Sequence, residues 1–189
     1  MTASRTLFFV LASSIALAGC GNQDSSTPAG TAAPTDSAPG QINSALPRED
    51  ISTKLELVGS PTYDQADDSL HVHVRIINNG KTTLVSAGTA MVRLGAMLIG
   101  PQGPDQAPGN RDFVRIDLPS IPAGSNAEVE GKLPAAALVN LPVRFDLVQE
   151  GVNWFSAYGQ PTLDVGPYKR CANNERSLCD SGDKPLPSG

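Results

Sequence analysis

His71 and His73 stand two residues apart in a run where every second residue is apolar, so both imidazoles leave one face of a strand. Asp64, Asp67 and Asp68 lie just before them. Two neutral imidazoles and a carboxylate form a ligand set for Zn²⁺ or Cu²⁺. The same H-x-H pattern also suits the solvated face of an antiparallel strand, so His71 and His73 stay candidates and no metal or other cofactor is assigned. Asp146 and Glu150 are the residue types of a glycoside-hydrolase acid and base. One sits inside a strand-like run and the other near its end, with no insertion to build a cleft, and hydrogen bonding at a corner accounts for both. Trp154, Phe155 and Tyr158 could stack a sugar ring or meet a partner protein. Alternatively Trp154 fills a sandwich core; the apolar neighbours Phe145, Leu147 and Val152 favour that, and Tyr158 is left open. There is no G-x-S-x-G, P-loop or dinucleotide fingerprint. Ser181-Gly182-Asp183-Lys184 matches S-x-x-K without its companion motifs. No catalytic residue is assigned, and the chain reads as a non-enzyme.

Three cysteines occur. Cys20 follows Leu17-Ala18-Gly19 at the end of an apolar run, Leu7 to Ala18, which is preceded by Arg5. The segment resembles a bacterial lipoprotein signal with its lipobox, cleaved before residue 20. The resemblance implies a diacylglycerol on the Cys20 thiol and an acyl group, such as palmitate, on its freed amine. At about 0.8 kcal/mol per buried CH₂, several chains anchor a protein far more firmly than one does. Gly21 stands where an inner-membrane retention signal carries aspartate, so the expected place is the outer membrane, facing the periplasm. With Cys20 lipidated, Cys171 and Cys179 remain as an even pair in a compartment that permits disulfides. Their spacing is not C-x-x-C and no histidine lies near, so a structural disulfide is expected.

The 14 basic side chains less Arg5 leave 13 against 19 acidic ones, a net charge of −6 without the signal. Such a surface repels phosphate backbones, and nucleic acid is excluded as a partner. Residues 21–47 are Ser, Thr, Pro, Ala and Gly with little apolar bulk, and are expected to be a disordered tether with a root-mean-square reach on the order of 30 Å. The sandwich is expected over 48–167, with a polar tail over 168–189 that only the disulfide holds. Alternating runs lie at Leu55–Val58, Leu70–Ile76, Val92–Leu98, Val114–Leu118, Ala127–Leu133, Val143–Leu147 and Thr162–Val165. Asn79-Gly80 and Pro122-Ala123-Gly124-Ser125 are turn signals, and Ala135–Leu138 can make one helical turn before Pro142. About seven short strands predict an all-β fold, a single antiparallel immunoglobulin-like β-sandwich behind a disordered linker.

Leu70-x-Val72-x-Val74-x-Ile76-x-Asn78-Asn79-Gly80, Val92-Arg93-Leu94-Gly95, Leu118-Pro119 with Pro122-Ala123-Gly124, and the run from Phe145 through Asp146-Leu147-Val148-Gln149-Glu150-Gly151-Val152 to Trp154-Phe155 follow in that order. Together they resemble an immunoglobulin-like module found appended to bacterial proteins of cell-surface glycan assembly. The resemblance covers about residues 51–166 and implies a fold and a glycan context, not an activity. The resulting expectation is a membrane-anchored envelope lipoprotein that acts as a non-catalytic protein-interaction or structural module. The alternative is a carbohydrate-binding accessory module. Expected partners are the bilayer, through Cys20, and another envelope protein or a glycan.

Overall fold

A computed structural model describes residues 40–103 and 112–189. Cys20, the signal and residues 21–39 of the expected tether lie outside the described residues. Strands run over Thr53–Asp64 (β1), Ser69–Asn78 (β2), Val92–Leu98 (β3), Val114–Asp117 (β4), Asn126–Pro134 (β5), Val143–Gln149 (β6), Asn153–Trp154 (β7), Leu163–Val165 (β8), Lys169–Cys171 (β9) and Asn174–Cys179 (β10). One helical turn, α1, covers Ala135–Leu138. All seven expected runs are strands.

The strands form an antiparallel sandwich. One sheet has the order β1-β2-β5, and the other β4-β3-β6 with β7 and β8 both paired to β6. First, second and fifth strands facing third, sixth and eighth is the immunoglobulin-like order. Alternation dictates the interior. Leu70, Val72, Val74 and Ile76 of β2 are fully buried against Leu94 and Ala96 of β3 and Val143 and Phe145 of β6 in one core. Each large apolar side chain taken from water contributes about 1.5–3 kcal/mol, which is why the register cannot slip by one residue. Pro61 interrupts β1 only at an irregularity between Val58 and Thr62, where no ladder donor is required.

The sandwich has two dissimilar ends. At one end lie Ser52, Asn78, the 84–91 connection and Gln149, joined by Asn79 N–H to Ser52 C=O, Asn78 N–H to Ser125 C=O and Gln149 Nε2 to Ala90 C=O. At the other lie the Asp64–Asp68 turn, α1 and Tyr168, joined by Ala135 N–H to Asp68 C=O and Asn140 N–H to Tyr168 C=O. Strands of about ten residues separate the two ends by about 30 Å.

Two boundaries differ from expectation. The tether was expected to run to residue 47, yet residues 40–47 lie on the first end. Ile42 is buried, its N–H donating to Ala87 C=O and its C=O accepting from Ala90 N–H. Gln149 Oε1 accepts the Leu46 N–H at 3.0 Å, and Gln149 Nε2 donates to Ser44 C=O at 2.8 Å. Ile42 and Leu46 are the apolar residues of an otherwise small and polar stretch; the 87–90 backbone partners Ile42, and the buried Gln149 amide partners Ser44 and Leu46.

The expected free tail is likewise part of the fold. β9 and β10 form a hairpin closed by a Cys171–Cys179 disulfide with Cα atoms 5.1 Å apart. Tyr168 and Leu178 enter the main core, and the Tyr63 N–H donates to Pro187 C=O at 2.9 Å, so the last residues flank β1. Among the described residues no helix is long and apolar enough to cross a membrane.

Candidate functional site

The docked hairpin helps to form a cleft at the end that carries the Asp64–Asp68 turn. Tyr63 at the end of β1, Gln65, Ala66 and Asp68 in the turn, and Arg170, Glu175 and Arg176 of the hairpin line an open cleft of about 820 Å³. Its floor is a closed network. Tyr63 Oη donates to Asp68 Oδ1 at 2.6 Å, Arg170 Nη1 donates to Tyr63 Oη at 2.9 Å and Arg170 Nη2 to Asp68 Oδ2 at 2.8 Å. The Tyr63 hydroxyl and the Arg170 guanidinium hold the Asp68 carboxyl below the usual carboxylate range, against a desolvation that raises it. Asp68 sits at φ 53°, a left-handed conformation that aspartate tolerates and that turns its carboxylate toward the hairpin. The rim carries Gln65, Glu175 and Arg176, all exposed.

The histidines face solvent on the outer side of the β1-β2-β5 sheet. There Glu56, Arg75 and Glu128 lie side by side in register and form an ion-pair row. Asp64, Asp67 and His71 bring ligand atoms within 4.8 Å of one another. His73 and Asp68 do not join them. Protein groups already engage this cluster: Lys132 pairs with Asp67, Glu130 pairs with His71 Nδ1, and Ser69 Oγ lies 2.9 Å from His71 Nε2. The Lys132 and Ser69 hydrogen bonds lower the Asp67 pKa, and His71 lowers that of Glu130.

Trp154 is buried, but not in the sandwich core. It lies on the outer face of the second sheet with Met97 and Val148 as a separate small cluster, 9% exposed. Gly95 sits opposite Asp146 in the ladder and leaves the space that the indole fills. Arg115 stacks on the ring, its guanidinium carbon 4.5 Å from the ring centroid, and also bonds Glu150 and Asp112. Phe155 is fully buried in the main core, and Tyr158 is half-buried beneath Arg48. The three aromatics therefore do not make an open stacking platform. Asp146 is 1% exposed, and its Oδ2 accepts the Ser156 N–H at 3.2 Å. Glu150 turns away from it toward Arg115 and Arg93.

No family model matches this chain, and no curated protein matches it. Among solved structures it is similar to β-glucosidase 3B from Thermotoga neapolitana, in complex with glucose, at 14% identity and a TM-score of 0.34. It is similar also to a β-glucosidase from Listeria innocua, in complex with glucose, at 14% identity and a TM-score of 0.31. In both cases the likeness covers 61% of this chain and 16% of the enzyme.

The cleft is the feature that sequence reasoning missed. Tyr63, Asp68 and Arg170 lie as much as 107 residues apart, and the only signal was an arginine beside a cysteine in a stretch that read as tail.

Proposed function

We propose that this chain is a lipid-anchored, non-catalytic binding module of the bacterial cell envelope. In this reading Cys20 holds it to the outer membrane, facing the periplasm, and the cleft at Tyr63, Asp68 and Arg170 receives another envelope protein. The observation that carries the proposal is the opposition of the two ends. Residues 40–46 join the sandwich at the end held by Gln149, and the cleft opens at the other, about 30 Å of strand away. A chain anchored on its N-terminal side then meets its tether at the end opposite the cleft, which leaves the cleft clear of the tether. The closed Tyr63–Asp68–Arg170 floor is rigid before binding, which lowers the ordering cost of an interface. A protein partner is preferred to a glycan because Trp154 and Phe155 offer no open ring face.

The anchoring half of the proposal is tested by labelling cells with radioactive palmitate and fractionating their membranes. Wild-type protein should label and sediment with the outer membrane, and Cys20→Ala should do neither. Equal labelling of the two would overturn it. A glycan array separates the carbohydrate alternative, since saturable binding to one glycan class would replace the protein partner.

A further inference from the structure

Asp146 is a charged residue type in an apolar place. It is 1% exposed, and its Oδ1 has no hydrogen-bond partner among the described residues. Its Oδ2 accepts from Ser156, in the 3₁₀ turn Phe155–Tyr158 that follows Trp154. A carboxylate buried with so few donors is costly, whereas a neutral carboxyl is tolerated.

We propose that Asp146 is a proton-operated latch for the 153–158 segment: the neutral carboxyl lets the segment lie against the second sheet, and ionisation loosens it. The surrounding charges do not neutralise a carboxylate there. From β6, Arg144 shares this face but gives two hydrogen bonds of 2.7 Å to Asp164 of β8. From β4, Arg115 is held by Trp154, Glu150 and Asp112, and Asp117 pairs with Arg93. From β3 the facing residue is Gly95, flanked by Arg93, which lies between Asp117 and Glu150. From the turn itself come Ser156 and Tyr158, the latter under Arg48. Desolvation raises the Asp146 pKa, and hydrogen bonds from Ser156 and the Leu147 backbone, with the Arg144 charge, offset part of the rise.

The direction follows from linkage. The closed state holds its proton more tightly than a solvated carboxyl does. Its advantage is therefore complete at pH below the ordinary carboxylate range and is lost as pH rises through the higher closed-state pKa. β7, two residues long, and the Ser156 contact tie Trp154 to β6, while Phe155 is anchored in the main core, so opening releases Trp154 and Ser156 around a Phe155 that stays in place. It uncovers Met97, Val148 and Trp154, an apolar patch.

The single tryptophan makes this measurable. Emission wavelength and acrylamide quenching of the full chain are followed against pH for wild type and Asp146→Asn. In wild type the open-to-closed ratio should climb up to about tenfold per pH unit above the ordinary carboxylate range, with emission moving red and quenching rising. Asp146→Asn should stay blue and poorly quenched throughout. A pH-independent wild type, or the same step in Asp146→Asn, overturns the latch. If the variant does not fold, carboxyl ¹³C and indole N–H shifts of wild type decide. Asp146 and Trp154 should share one midpoint, and an Asp146 that titrates without the indole following overturns the proposal.

Discussion

A Cβ placed on Gly95 would stand 2.5 Å from Trp154 Cζ3 and 2.6 Å from Cη2. The indole lies where any other residue's side chain would begin, and Arg115 stacks on the ring with its Nη1 3.1 Å from the same Cβ position. Gly95→Ala should therefore expel the ring, since the obstacle is a rigid ring and not a flexible chain end. We expect a loss of about 1–3 kcal/mol, read as a lower Tm, and a red-shifted emission from the single tryptophan. Unchanged emission and Tm would place the indole elsewhere.

Trp154→Ala should cost about 3 kcal/mol, the lower end for truncating a buried aromatic because this one covers an outer face and water can fill the space. Denaturant melts should show a lower midpoint with an unchanged slope, as the main core contains none of Met97, Val148 or Trp154.

Replacing both Cys171 and Cys179 by serine should lower stability by about 2.5 kcal/mol, the chain-entropy value for so small a loop. For a chain this size that is about 5–10 °C in Tm. The loss should be global, because Tyr168 and Leu178 carry the hairpin into the core. A melting curve unchanged by the double replacement would mean that the hairpin holds without its bridge.

Gln149→Ala should free the N-terminal strap. The Leu46 N–H and the Ser44 and Ala90 carbonyls lose their partner together, at about 2–3 kcal/mol for buried polar groups left unpaired. Limited proteolysis should then cut within residues 40–47, sites that wild type protects.

The hairpin should detach in acid. Asp68 has its carboxyl pKa lowered by Tyr63 and Arg170, so its contribution is present above the unfolded carboxylate pKa and is lost as pH falls through the lower folded value. Amide exchange in 168–179 should accelerate below that pH in wild type. Asp68→Asn should show fast exchange already at neutral pH and a flatter acid limb.

The sandwich was legible because burial on one face writes an alternating pattern, and β2 is the clearest case, with Leu70 to Ile76 wholly interior. The turn at Asn79-Gly80 was legible in place but not in kind. It begins a crossover to the other sheet, and Gly80 is needed because a Cβ would collide with the Asp50 carbonyl oxygen. The apolar sequence neighbours of Trp154 point to the sandwich core. Its actual seat depends on Gly95, a ladder away, which no local window relates to it. Residues 40–47 and 168–189 read as loose because their apolar residues are sparse. Long-range partners hold them: Gln149 for the first, and Tyr63, Asp68 and the core for the second.

The claim that the cleft end faces the partner is tested most directly by photo-crosslinking in intact cells. A photoreactive residue is placed at Gln65 or Arg176 on the cleft rim, or at Lys81 or Ala123 on the end that meets the N-terminal strap. Probes at 65 and 176 should give the same discrete protein adduct, lost in Arg170→Ala, and probes at 81 and 123 should give none. Adducts confined to 81 and 123, or adducts at 65 and 176 that persist in Arg170→Ala, would contradict the account.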